Sequence, residues 1–298
     1  MTLPPAGLPP FSPTPVFIRK ADVVVSWSPK SGCSHVVFWA FGHEGCRDQA
    51  AQGHHLPHGF RIHTYQKQPD IVRRLRRLRA GEAEGLTLVR VTRDPKKRLV
   101  SIFRHACKHP FLHAAVREKL GFDPAVEGFA LTDLDALLGH LKLDWPTDAD
   151  PHVRAQASPL WELPFRRTIT INMDEIPLDP SLHAVERALG LPETDFGLPA
   201  FRNLREAHYA RPRGFPKGVP VATHRFRPAE TRGFPKSVLM ASPFLAEMAR
   251  RHYAADYAAG LASGDTAGEL FQAPPAAEAA AAVSEAAGTA SSGVRVAT

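Results

Sequence analysis

The sequence predicts an α/β fold in which a central parallel sheet is flanked by helices. Three observations carry this expectation. Short β-branched runs recur at residues 23–27, 60–64, 86–92 and 168–172, helical patterns separate them, and the first run ends in a tight turn ahead of an apolar helical segment. With 298 residues, 44% of them hydrophobic and 22% charged, the chain can bury one substantial core. The expected organisation is a flexible Pro-rich lead at 1–17, one domain at 18–262 and a disordered Ala/Ser-rich tail at 263–298.

Six prolines within residues 1–15 remove backbone donors and favour extended conformations, hence the flexible lead. Val23–Trp27 is the first strand, and it runs into Ser28, Pro29, Lys30, Ser31, Gly32, Cys33 and Ser34 before an apolar stretch at 35–41 suited to a helix. Residues 60–64 read as the second strand. Pro69 and Asp70 then open a helix with Ile71, Leu75 and Leu78 on its apolar face, its five arginines in solvent, and Gly81 available to close it in a left-handed conformation.

After the strand at 86–92, Asp94 can cap a helix with Pro95 at its first position, carrying Leu99, Ile102, Phe103 and Ala106 inward. Residues 134–141, 182–189 and 238–257 read as further helices, and 168–172 as the last strand. The pentapeptide RGFPK occurs at 213–217 and again at 232–236, too few copies for a stacked repeat, so this region reads as a long cationic loop. The Ala-rich part of the tail lacks an apolar stripe with which to dock.

Charge narrows the partners. The net charge is +7, yet residues 61–108 alone hold fourteen Lys and Arg against four acids. Such a field attracts polyanions, whether a nucleotide, a sulfated sugar or nucleic acid. One reading is therefore a non-catalytic protein that binds a polyanion or nucleic acid through 61–108. Against nucleic acid, no aromatic residues interleave with the arginines at 73–79, and no zinc-finger or RNA-binding signature occurs. Three cysteines are too few for a disulfide framework, and no Cys/His spacing suits zinc, so no metal is expected. No apolar stretch reaches 18 residues, so a cytoplasmic location without a membrane span is expected.

The chemistry centres on the first junction. A strand, a tight loop and a helix start bring backbone N–H groups and the positive end of the helix dipole to one point, where an anion belongs. Lys30 adds a mobile charge, and the Ser31 and Ser34 hydroxyls can donate to phosphate oxygens. The lysine precedes the single glycine, so this is not the GxxxxGK[ST] loop of nucleoside triphosphate enzymes. By itself the segment reads equally well as an ordinary turn. The next unit shifts the balance: Arg93 leaves a strand, Ser101 follows about two helical turns later, and both can grip one phosphate. The competing reading pairs Arg93 with Asp94 or a carbonyl and lets Ser101 bond back to its own helix.

Together the two segments resemble the nucleotide-binding segments of sulfotransferases that use 3′-phosphoadenosine 5′-phosphosulfate (PAPS). In that family a PKSGTTW-like segment holds the 5′-phosphosulfate and an RDPxxRLxSxxR-like segment holds the 3′-phosphate. The resemblance implies a P-loop-like sulfotransferase fold, PAPS as co-substrate without a metal, and a hydroxyl acceptor. It places Lys30, Ser31, Gly32, Cys33 and Ser34 at the first segment, and Arg93 and Ser101 at the second. The stretch from Arg93 to Ser101 is closest to the carbohydrate-acting, Golgi-type branch, similar to sulfotransferase family 2, which implies a carbohydrate acceptor.

Asp150, Pro151 and His152 with Gln156 resemble that branch's HxxxQ segment, and residues 252–257 resemble its YxxDY closing helix. The likeness spans about residues 22–260. Two positions depart from it. His35 stands where many relatives carry a flat residue near the adenine, and Cys33 replaces a threonine. The Cys33 backbone N–H can still bind phosphate, while its thiol is either inert or, beside Lys30 at a helix start, reactive. In relatives a histidine after the second strand often serves as the base, which implies His63, with His58 and His152 as alternatives. Lys30 is implied on the leaving-group side.

Overall fold

The computed structural model of the chain describes residues 8, 10–52, 57–145, 147–208, 211–212 and 214–261, without the side chains of 207, 208, 211 and 212. In chain order the elements are β1 (Val16–Ile18), β2 (Val23–Trp27), α1 (Cys33–His43), α2 (Arg47–Gln52), α3 (Pro57–His63), α4 (Pro69–Arg79), β3 (Thr87–Thr92), α5 (Pro95–Lys108), α6 (His113–Leu120), α7 (Pro124–Glu127) and α8 (Leu131–Gly139). They continue with β4 (Arg167–Asn172), α9 (Leu178–Leu189), α10 (Pro199–His208), β5 (Arg211–Pro212), β6 (Gly233–Phe234), α11 (Lys236–Ala241), α12 (Pro243–His252) and α13 (Ala254–Ala258).

The chain is α/β, with a mixed four-stranded sheet in the order β1-β2-β3-β4 flanked by helices. β2, β3 and β4 are parallel, as the β-branched runs predict, and β1 adds an antiparallel edge with Val16 opposite Val25. The lead is accordingly shorter than expected. Val16, Phe17 and Ile18 are buried in the sheet, and Phe11 is buried in the same core. The tail expected at 263–298 lies outside the described residues.

The strand expected at 60–64 is a helix instead. β2 and β3 pair directly with each other, from Val23 opposite Thr87 to Trp27 opposite Val91, which leaves no slot between them. Pro57 starts α3, a favoured first helical position, and Phe60 packs edge-on against Phe41 while Ile62 faces solvent. The helix expected at 238–257 is three helices. Pro243 cannot donate into the preceding turn, and a second break follows at Tyr253, whose hydroxyl donates to the Val153 carbonyl at 3.0 Å.

Two apolar cores result. One surrounds the sheet with α1, α4, α9 and α10, and the other joins α5, α6, α8, α11 and α12. α5 starts as expected: the Asp94 carboxylate accepts from the Lys97 N–H at 3.0 Å, and Leu99, Ile102, Phe103 and Ala106 enter the second core. The stretch at 213–236 is not simply loop, because β5 pairs with β6 and both repeats feed this core. Phe215 and Phe234 sit 6.0 and 5.2 Å from the Phe226 ring, so each copy supplies one aromatic anchor.

Candidate functional site

Register decides where the chemistry gathers. Trp27 lies opposite Val91, and Thr92 opposite Asn172, so the segments after β2, β3 and β4 all leave the same edge of the sheet. At that edge Lys30 and Gly32 both adopt left-handed backbone conformations, at φ 71° and 69°, and α1 begins at Cys33. A lysine at positive φ is strained, and here it sits in a tight turn in which the Ser31 N–H donates to the Ser28 carbonyl at 3.2 Å ahead of the helix start.

Arg93 meets this loop. Its Nη1 donates to the Lys30 carbonyl at 2.8 Å, and its Nε lies 3.9 Å from Asp174 Oδ1. Asp174 also accepts from the Asp94 N–H at 2.7 Å and faces Lys97 Nζ at 3.2 Å, which ties the ends of β3 and β4 together. Beneath the loop lies Gln156. Its Oε1 sits 3.0 Å from Ser28 Oγ, 3.3 Å from Ser31 Oγ and 3.0 Å from the Arg93 N–H, and its Nε2 donates to the Arg93 carbonyl at 2.8 Å. The buried Asp256 accepts from the Gln156 and Ala157 N–H groups at 2.6 and 3.2 Å. The loop, the end of β3, the 150–156 segment and the closing helix thus share one polar node between the two cores.

Arg98 braces the node. Only 1% of it is exposed, and it donates to the carbonyls of Pro29, His152 and Arg154 at 3.0, 3.2 and 2.7 Å. Its Nη1 stands 4.0 Å from Asp256 Oδ2. Helical spacing puts residues 98, 101, 105 and 108 on one side of α5, with the half-buried Ser101 between Arg98 and His105.

The field at this edge is positive. Burial, then Arg104, Arg93 and Lys108, lower the Lys30 ammonium from its ordinary 10.5 to about 8, opposed by Cys33. Burial also lowers Lys236, from the second RGFPK copy, with Arg93 and Lys97 adding to the effect. A group that carries negative charge fits here, because these desolvated cations repel one another.

The predicted residues divide. Lys30, Gly32, Cys33 and Arg93 share the loop. Ser31 is fully buried, with its hydroxyl beside Ser28 and Gln156 and its N–H on the Ser28 carbonyl, so it braces the loop from below. Ser34 is buried in the first turn of α1. His35 turns into the core, stacked on Phe196 at 5.2 Å and 2.7 Å from Asp179 Oδ1, and burial lowers its basicity against the pull of Asp179.

Of the three candidate bases, His63 is exposed at the last position of α3. His58, one turn earlier, is half-buried with its ring 6.3 Å from that of Trp27, and its Nε2 has no hydrogen-bond partner. The His152 Nδ1 lies 2.8 Å from Asp150 Oδ1, and its ring is 4.8 Å from that of His105. His105 is held neutral by burial first and then by the charge of Lys30, which places this histidine cluster within the field of the loop. Arg98 and Arg104 fall on the later arginine positions of the second segment but received no role from the sequence, and His105 was missed. The signal for His105 is the polar side of α5, where residues 98, 101, 105 and 108 repeat opposite the apolar face.

The basic stretch at 61–108 does not form one surface. Arg73, Arg76 and Arg77 are exposed on α4, whereas Arg93 and Arg98 are enclosed at the sheet edge. A cleft of about 480 Å³ lined by Lys20, Thr87, Arg166, Arg167 and Gly190 opens at the other end of the sheet, away from Lys30 and Arg93. Among the described residues no group of three or more His, Cys, Asp or Glu is placed to hold a metal ion, and no helix is long and apolar enough to cross a membrane. Compared with protein-family models, curated proteins and solved structures, the chain finds no match in any of the three.

Proposed function

We propose that the chain is a PAPS-dependent sulfotransferase acting on a hydroxyl, in the first instance of a carbohydrate. One observation carries the reading: Gln156 joins Ser28 and Ser31 of the first segment, Arg93 of the second and Asp256 of the closing helix at one node, the four motifs on which the resemblance rests. The node lies under a loop whose desolvated cations suit an anionic nucleotide.

In this reading the loop and α1 hold the 5′-phosphosulfate, and Arg93 with Ser101 holds the 3′-phosphate. The acceptor oxygen attacks sulfur as the bond to the 5′-phosphate oxygen breaks, and charged Lys30 meets the negative charge left on that oxygen. Sulfuryl transfer needs a proton acceptor for the hydroxyl. His152, oriented by Asp150 beside His105, suits that role better than exposed His63 or His58, whose ring packs toward Trp27.

The test is ligand-dependent stabilisation. 3′-Phosphoadenosine 5′-phosphate is expected to raise the thermal midpoint well beyond the effect of ATP or DNA at equal concentration. Equal stabilisation by ATP, which lacks a 3′-phosphate, removes the role given to Arg93 and Ser101. Stabilisation by DNA alone would favour the polyanion-binding reading. Transfer from labelled PAPS to a panel of carbohydrates then tests the acceptor class.

A further inference from the structure

We propose that the cleft at the amino-terminal end of the parallel strands is a second ligand site, one that takes a compact molecule carrying two or more phosphate or sulfate groups. The cleft holds about 480 Å³, within the roughly 300–1,000 Å³ typical of small-molecule sites. Three of its ten lining residues are cations, Lys20, Arg166 and Arg167, and none is an acid.

The fold brings these three charges together from distant parts of the chain. Lys20 lies in the short turn Arg19–Ala21 between β1 and β2, which closes on a left-handed Asp22. Arg167 opens β4 directly opposite Thr87, the first residue of β3. Arg166 comes just before it, donating its N–H to the Leu86 carbonyl at 3.0 Å and its Nη2 to Thr87 Oγ1 at 3.4 Å. The paired strand starts therefore fix both arginine backbones, and the end of α9 forms the facing wall.

The fold leaves these charges unneutralised. Arg19, beside Lys20, is held by Glu44 and Asp70, and Arg187 of α9 is held by Glu193. Among the described residues, Lys20, Arg166 and Arg167 join no ion pair. At the α9 end, the Gly190 and Leu191 N–H groups occupy the Arg187 and Glu186 carbonyls at 3.3 and 2.8 Å, which blunts the negative end of that helix. A concave wall of one sign focuses the field and draws anions to it. Leu189 and Pro192 add apolar surface, which suits an anion with a carbon body.

This site is separate from the Lys30 loop and independent of the nucleotide reading. The five residues of β2 alone set about 17 Å between the Lys20 turn and the segment after Trp27, too far for one compact ligand to fill both.

Calorimetric titration of the full chain with fructose bisphosphate and with a disulfated disaccharide tests the proposal. At least one is expected to bind, and Arg166→Ser/Arg167→Ser should weaken it by about 10- to 50-fold while Lys30→Met leaves it in place. Binding of neither probe overturns the proposal, as does binding that Lys30→Met abolishes and the double variant keeps. Tighter binding of the bisphosphate assigns the cleft to phosphate esters and tighter binding of the disaccharide to sulfate esters, and either supports the site. Should the double variant fail to fold, Lys20→Ser on its exposed turn is read instead, with an expected loss of about 2- to 5-fold and no loss counting as refutation. Stabilisation by 3′-phosphoadenosine 5′-phosphate that the double variant loses would place that nucleotide in the cleft, supporting this site and counting against the loop as its holder.

Discussion

The Gln156 side-chain amide pairs with both backbone groups of Arg93, accepting from its N–H at 3.0 Å and donating to its carbonyl at 2.8 Å. A side chain here does what a neighbouring strand does for a ladder. It fixes the direction in which Arg93 leaves β3, and so the reach of the guanidinium to the Lys30 carbonyl. Gln156→Ala should cost about 2–4 kcal/mol, because it strands the Ser28 and Ser31 hydroxyls and the Arg93 backbone in a buried site. Urea unfolding measures this, and a loss below about 1 kcal/mol would mean that other groups satisfy them.

Arg98 has three carbonyl acceptors and a nearby buried carboxylate, Asp256, a set that one ammonium cannot satisfy. Arg98→Met should destabilise by about 3–5 kcal/mol, since Asp256 is left without its cation. Arg98→Lys should recover only part of this in the same unfolding assay.

Lys30 links pH to both turnover and stability. If its charge meets the leaving group, kcat falls as pH rises through about 8, the value to which burial and the neighbouring cations lower it. Lys30→Met should lower kcat by about 10²–10³-fold. The stability effect has the opposite sense. The unfolded chain keeps this proton to about 10.5, so between 8 and 10.5 the unfolded state binds more protons and Lys30 favours folding increasingly with pH. A pH–kcat profile without an alkaline limb near 8 would count against this role.

His152→Ala is expected to lower kcat by about 10²–10⁴-fold while leaving nucleotide affinity in place, and His63→Ala to lose far less. Asp150→Asn should fall between them, because it disturbs the imidazole that Asp150 orients at 2.8 Å. Turnover with labelled PAPS beside nucleotide titrations separates these effects. Full activity in His152→Ala would return the assignment to His58 or His63.

Glu186 is fully buried and accepts from Trp39 Nε1 at 2.7 Å and the Thr194 N–H at 3.1 Å, and lies 2.9 Å from His43 Nε2. These partners hold its carboxyl below the ordinary 4.5 despite burial. Its contribution is thus fully present above about 4.5 and lost as pH falls through its lower folded value. Glu186→Ala should cost about 2–4 kcal/mol at neutral pH and flatten the acid limb of the stability curve.

The three parallel strands, the capped start of α5 and the tight junction between β2 and α1 were legible in the sequence, because each rests on local chemistry: β-branched runs, Asp94 ahead of Pro95, and a glycine behind a lysine. The segment at 60–64 misled because its fate depends on whether β2 and β3 leave a slot between them, which no local pattern records. Ser31 shows the same limit within the site. Its place in the motif is local, whereas the turn of its hydroxyl toward Gln156 depends on a residue 125 positions later.

Residue order alone pointed to two strand–loop–helix units that each bring a cationic side chain to one end, Lys30 on the first and Arg93 on the second. Tertiary packing settled which groups surround those ends. It set Gln156 beneath both, turned His152 to Asp150 and His105, and left His63 exposed. The reason is physical: dipoles, caps and turns act over a few residues. Hydrogen bonds spanning 63 to 128 residues follow from packing, and packing leaves no period in the chain.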